Sequence, residues 1–92
     1  MGGAEQATRY IDVITAECVA ASVPTSGPVF DSVLRNVGCQ VRAAIAREGG
    51  KPSFPFDFAT TIEPEKVIGL RVIVQEALGV ASTLLDGDEE GL

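Results

Sequence analysis

The stretch Glu63–Asp86, EPEKVIGLRVIVQEALGVASTLLD, is the longest apolar-patterned run in the chain, and it limits what the rest can become. Pro64 suits a first helical position, where its missing N–H is not needed and its φ is already helical. Glu63 then stands at the N-cap and Glu65 near the positive end of the helix dipole. Ile62 and Val67 take the places of a hydrophobic staple. At about 100° per residue, Val67, Leu70, Ile73, Val74, Ala77, Leu78, Val80, Ala81, Leu84 and Leu85 share one broad face. Arg71, Gln75, Glu76, Ser82 and Asp86 fall on the other, so the pattern is that of an amphipathic helix. Val67–Val74 is rich in β-branched residues and competes as a strand, but the pattern runs on through Leu85 without a turn signal, which favours helix. Ile68 and Val72 lie on the polar side. Either a loop covers them, or they form a second contact face for another helix or another copy of the chain.

Two further helices precede this run. In Ala4–Ser22 the residues Ala7, Tyr10, Ile11, Ile14, Cys18 and Ala21 share a face with Val13 on its flank, and Val23-Pro24 ends the pattern because the residue before proline avoids helical backbone. Pro24–Pro28 is a compact turn in which Ser26 or Gly27 caps the next helix. In Pro28–Glu48, Phe30, Val33, Leu34, Val37, Val41, Ala44 and Ile45 cover about a third of the circumference. Asp31 and Arg35 stand at i,i+4 on the outside, and Gly49-Gly50 is a C-terminal stop. The long connection 49–62 follows, with Phe54, Phe56 and Phe58 alternating with Pro55 and Asp57, so that extended backbone puts three rings on one side. Residues 87–92 form an acidic, glycine-containing tail expected to fray. The expectation is an all-α three-helix bundle with helices near 4–22, 28–48 and 64–86. The first two form an antiparallel hairpin, and the Phe/Pro-rich loop crosses to the third within one domain, 1–86.

Ninety-two residues make one small domain, and its 46% apolar residues are mostly Val and Ala with no Trp. Such side chains bury less area than Leu and Phe, at about 25 cal/mol per Å². Self-association is a cheap remedy, so a homo-oligomer is expected. The net charge is −6, and Asp86, Asp88, Glu89 and Glu90 supply four of the acids. Seven basic residues without a basic run argue against nucleic acid, since phosphate contacts supply most such affinity. No stretch approaches the roughly 20 apolar residues of a membrane span. With two cysteines lacking C-x-x-C spacing and no secretory or myristoylation signal, a cytoplasmic protein is expected.

The chain contains no histidine, which removes the commonest general base and metal ligand together. Two cysteines cannot close a zinc site within one chain. Gly50-Lys51 lacks the Ser or Thr and the first Gly of a phosphate loop. No catalytic residue, cofactor or metal is therefore expected. Glu17 falls inside an apolar arc, where a raised pKa makes a carboxylate a candidate acid, although such a side chain more often reaches water at the edge. Cys39 lies opposite the apolar seam of its helix, with Arg42 the nearest cation. The Phe54–Phe58 segment either folds back to fill a Val/Ala core or docks a partner. These residues point to a non-catalytic protein–protein interaction module, acting as a homo-oligomer or as a subunit of a larger assembly. Its contact residues are Phe54, Phe56, Phe58, Ile68 and Val72. The rival from another class is a small-ligand-binding or carboxylate-dependent enzymatic subunit built on Glu17.

Overall fold

The computed structural model describes residues 8–90 and is an all-α three-helix bundle. Its helices are α1 (Tyr10–Ala20), α2 (Pro28–Arg47) and α3 (Val67–Glu90), the last preceded by a single 3₁₀ turn at Pro64–Lys66. The expected helical residues 4–7 and the tail residues 91–92 lie outside the described residues. So do the side chains of residues 84–90, Leu84 and Leu85 among them, although helical backbone continues past Asp86 to Glu90. No helix of the described residues is long and apolar enough to cross a membrane.

Val67–Val74 is helical, so the strand alternative fails. Helical spacing turns Leu70, Val74, Ala77, Leu78 and Ala81 to one side, and all five are buried with Val74 fully so. They meet Phe30, Val33, Val37 and Val41 of α2 and Val13, Ile14 and Cys18 of α1 in one core. Val80, expected on this face, is exposed because its position falls just outside the arc that α1 and α2 cover. The close helix pairs are α2 with α3 and α1 with α3. The expected α1–α2 hairpin is therefore not the central packing unit; α3 is. A salt bridge from Lys66 to Glu48 at 3.4 Å puts the start of α3 beside the end of α2, so these two helices run in opposite directions.

Both ends of α1 differ from expectation. Its start lies at Tyr10 because Thr8 and Arg9 are extended and pair with the long connection, through an antiparallel bridge between Arg9 and Thr61. The N-cap residue, Arg9, has no side-chain oxygen to accept from the exposed N–H groups of the first turn. The connection supplies carbonyls instead: Tyr10 N–H donates to Thr60 at 3.0 Å and Ile11 N–H to Phe58 at 2.9 Å. Asp12 reaches back to accept from the Arg9 amide and guanidinium, each at 3.2 Å, and this hydrogen bonding holds its carboxyl below the ordinary range.

The other end closes on Ser22. Val23 N–H donates to Cys18 carbonyl at 2.8 Å and Ser22 N–H to Val19 at 3.1 Å, which is the Schellman pattern, with Ser22 left-handed at φ 59°. Helix α2 ends the same way: Gly50 N–H donates to Ile45 at 2.9 Å and Gly49 N–H to Ala46 at 3.0 Å, with Gly49 at φ 89°. One motif thus occurs twice, with glycine in one copy and serine in the other. A non-glycine residue in left-handed backbone costs about 1 kcal/mol. Ser22→Gly is therefore expected to stabilise the protein by up to about 1 kcal/mol, and Gly49→Ser to destabilise it by a similar amount. Urea denaturation of both variants checks this; a destabilising Ser22→Gly would contradict the cap.

Candidate functional site

The three phenylalanines lie where the connection passes between the start of α1 and the middle of α2. Phe56 packs edge-on against Tyr10 of α1 with ring centroids 4.9 Å apart, and Phe58 packs edge-on against Phe56 at 5.2 Å. Both rings are half-buried against the core. Gly38, in the middle of α2, makes this approach possible: a Cβ placed there meets Phe58 Cζ at 3.1 Å. The carbonyls of Phe58 and Thr60 cap α1, so ring packing and helix capping fix the same segment. Asp57 Oδ1 accepts from Ala59 N–H at 2.9 Å, tightening the turn that follows.

Phe54 behaves differently. It is 80% exposed, and its ring lies under the Arg42 guanidinium at 4.5 Å from the centroid, an attractive cation–π arrangement. Arg42 Nε is sealed from solvent and has no hydrogen-bond partner among the described residues. Between these rings and α2 runs an open groove of about 640 Å³, with Leu34, Gly38 and Cys39 on its α2 wall. Asp31, Arg35 and Arg42 also line it. The expected i,i+4 pairing of Asp31 with Arg35 is absent, because the two charges come no closer than 4 Å although their spacing allows it.

The other expected contact residues form a separate surface. Ile68 is 71% and Val72 50% exposed on the outer side of α3, where Val80 joins them. No loop covers these side chains, and none of them lines the groove. The structure thus brings Phe54, Phe56 and Phe58 together and leaves Ile68 and Val72 on a different helix.

Glu17 is largely covered and bridges α1 to α3, accepting from Arg71 Nε at 3.1 Å and Gln75 Nε2 at 3.2 Å. It lines neither the groove nor the smaller cavity of about 270 Å³ near Tyr10, Ile45 and Lys66. Among the described residues no three His, Cys, Asp or Glu side chains are grouped to hold a metal. Cys18 is buried and Cys39 exposed, both as free thiols. Burial pushes the Cys18 thiol above its ordinary range, and the neighbouring Glu17 carboxylate adds to the shift. The contribution of that neutral thiol to stability is fully present below the ordinary thiol pKa and is lost as pH rises through the higher native value.

Sequence reasoning missed Arg42 as a partner of Phe54 and Gly38 as the seat of Phe58. A glycine inside a strongly helical pattern was the available signal, since such a residue usually has a packing reason. Comparison of the chain with protein-family models, curated proteins and solved structures gives no match.

Two outcomes are expected here. At about pH 8, near the ordinary thiol range, native protein reacts rapidly with a thiol reagent at one site only, and Cys39→Ser removes that fast phase while Cys18→Ser leaves it. Equal native rates at both sites would contradict the burial of Cys18. Phe54→Ala is expected to cost less than about 1 kcal/mol, the size of an exposed cation–π contact. Phe56→Ala and Phe58→Ala are expected to cost more, yet less than the about 3–5 kcal/mol of a fully buried ring. Chemical denaturation of the three variants gives the order, and Phe54→Ala as the most damaging of them would contradict the placement.

Proposed function

We propose that this chain is a small non-catalytic protein-interaction module, and that the groove between α2 and Phe54–Phe58 is its docking surface. The observation that carries this reading is Phe54: a large ring kept 80% exposed, held in place by Arg42 rather than by the core. Exposed aromatic rings and arginines are the residue types that dominate binding energy at interfaces. An apolar wall with few charges at its rim fits a protein segment better than a reacting substrate. The enzymatic alternative finds less support, because the Glu17 carboxylate is occupied by Arg71 and Gln75 away from either cavity.

The outer side of α3 offers a second contact surface, suited to self-association. Ile68, Val72 and Val80 are exposed there, and Gly69 and Gly79 have open space where a side chain would stand, which lets a facing backbone approach. Residues of this kind at a helix surface commonly mark an interface.

Affinity capture from the native host, with wild type and Phe54→Ala compared quantitatively, tests the reading. A partner enriched by wild type and lost with Phe54→Ala, while the variant keeps its melting temperature, is the expected result. Capture unchanged by Phe54→Ala but lost with Ile68→Glu would move the docking surface to α3. The absence of any partner sensitive to either substitution would refute the proposal.

A further inference from the structure

Cations and acids are distributed unevenly in this fold. Arg9 pairs with Asp12, Lys66 with Glu48 and Arg71 with Glu17, all within 3.4 Å. The four remaining cations, Arg35, Arg42, Arg47 and Lys51, have no carboxylate within 4 Å among residues 8–83, whose side chains are described. All four belong to α2 or to the connection that leaves it, and Arg35 and Arg42 line the groove. They stand two helical turns apart on one side of α2, about 10 Å along its axis. The acids are concentrated elsewhere. Asp86, Asp88, Glu89 and Glu90 lie on the last turns of α3, where the helix dipole adds further negative potential. An acidic protein therefore has an aromatic groove lined by two arginines and, on another helix, an acidic end.

The geometry points to a second copy of this chain as the occupant of the groove, with the acidic end of α3 from one copy docking against Arg35 and Arg42 of the next. The inference rests on the groove's being a docking surface and adds what occupies it. The same chain is the donor of complementary charge. Helix α3 runs antiparallel to α2, and no residue of α3 is among the described lining of the groove. Asp31 also lines the groove and opposes an acidic ligand, but the two arginines leave a net positive charge there. Such a contact is heterologous: each copy offers a groove and an end, and the assembly closes as a ring or continues as a chain.

Sedimentation velocity of the full chain over a micromolar concentration series tests this, with variants whose melting temperatures match wild type. One variant reverses the groove's charge (Arg35→Glu with Arg42→Glu). The other reverses the end (Asp86→Lys, Asp88→Lys, Glu89→Lys, Glu90→Lys). Wild type is expected to self-associate, and more weakly as salt rises, because the attraction is between screened charges. Each variant alone should associate at least about tenfold more weakly. The end-reversed variant is further expected to co-assemble with the groove-reversed one, since mixing restores complementary charge at both kinds of contact. A synthetic peptide of residues 84–92 should bind wild type and not the groove-reversed chain.

Four results would overturn the inference. They are a wild-type monomer that does not bind the peptide; an oligomer untouched by either charge variant but dissolved by Ile68→Glu; failure of the two variants to complement; and a concentration-independent, intramolecular contact between end and groove. A host protein that still depends on Phe54 in any of these cases would leave the docking reading standing and show only that its occupant is not this chain.

Discussion

Burial of one face of α3 against both other helices is the interaction on which the remaining structure depends. Leu70, Val74, Ala77, Leu78 and Ala81 are buried there, and the core of α1 and α2 meets on them. Helix α1 has 11 residues, and isolated helices shorter than about 12–15 residues are marginal in water. It therefore draws its stability from packing on α3 and from caps supplied by the connection. The Glu17 bridge to Arg71 and Gln75 sets which face of α1 turns to α3 and adds little energy, because Arg71 is half exposed and such pairs are worth about 0–1 kcal/mol. Orientation is the larger contribution of that carboxylate.

How much of this was legible in the sequence follows from the range of the forces involved. The seam of α2 was readable because Phe30, Val33, Val37 and Val41 repeat at helical spacing, and periodicity is a local property. Helix α3 was readable for the same reason despite its β-branched start. The beginning of α1 was not, because Thr8 and Arg9 are drawn into extended backbone by Thr61 and Ile62, residues remote in the chain. Nor did the Ser22 turn announce itself, since serine has no preference for left-handed backbone, and the closing hydrogen bonds of Ser22 and Val23 accompany it only in the folded turn. The i,i+4 spacing of Asp31 and Arg35 marked two groups that are able to meet. At an exposed helix surface the gain of about 0.2–0.5 kcal/mol is too small to compel them.

The candidate site was legible by halves. Three phenylalanines alternating with Pro55 and Asp57 marked the segment; two of the rings pack against the core and one is exposed. The groove itself was not visible, because it forms only where the connection lies beside α2, a pairing of segments that local periodicity does not report. Leu34 shows the difficulty. The helical pattern places it at the edge of the core, and the same edge becomes the lining of the groove once the connection lies beside it.

That connection explains why a groove persists in so small a protein. A segment from Gly50 to Glu63 without helix or sheet loses much backbone freedom on folding, about 1–2 kcal/mol per residue. Several contacts share the offset: the Phe56 and Phe58 rings on Tyr10 and Gly38, three backbone hydrogen bonds to Thr8, Tyr10 and Ile11, and the turn at Asp57. The same contacts cap α1, so the connection cannot loosen without exposing the first N–H groups of that helix. A stable α1 therefore requires an ordered aromatic wall, and the groove is shaped before anything enters it. A ligand meeting a preformed wall pays no ordering cost for the connection, and its contacts translate more fully into affinity. Phe54 lies outside this capping network and touches α2 through Arg42, which leaves it the ring most able to adjust to an occupant while Phe56 and Phe58 hold the frame.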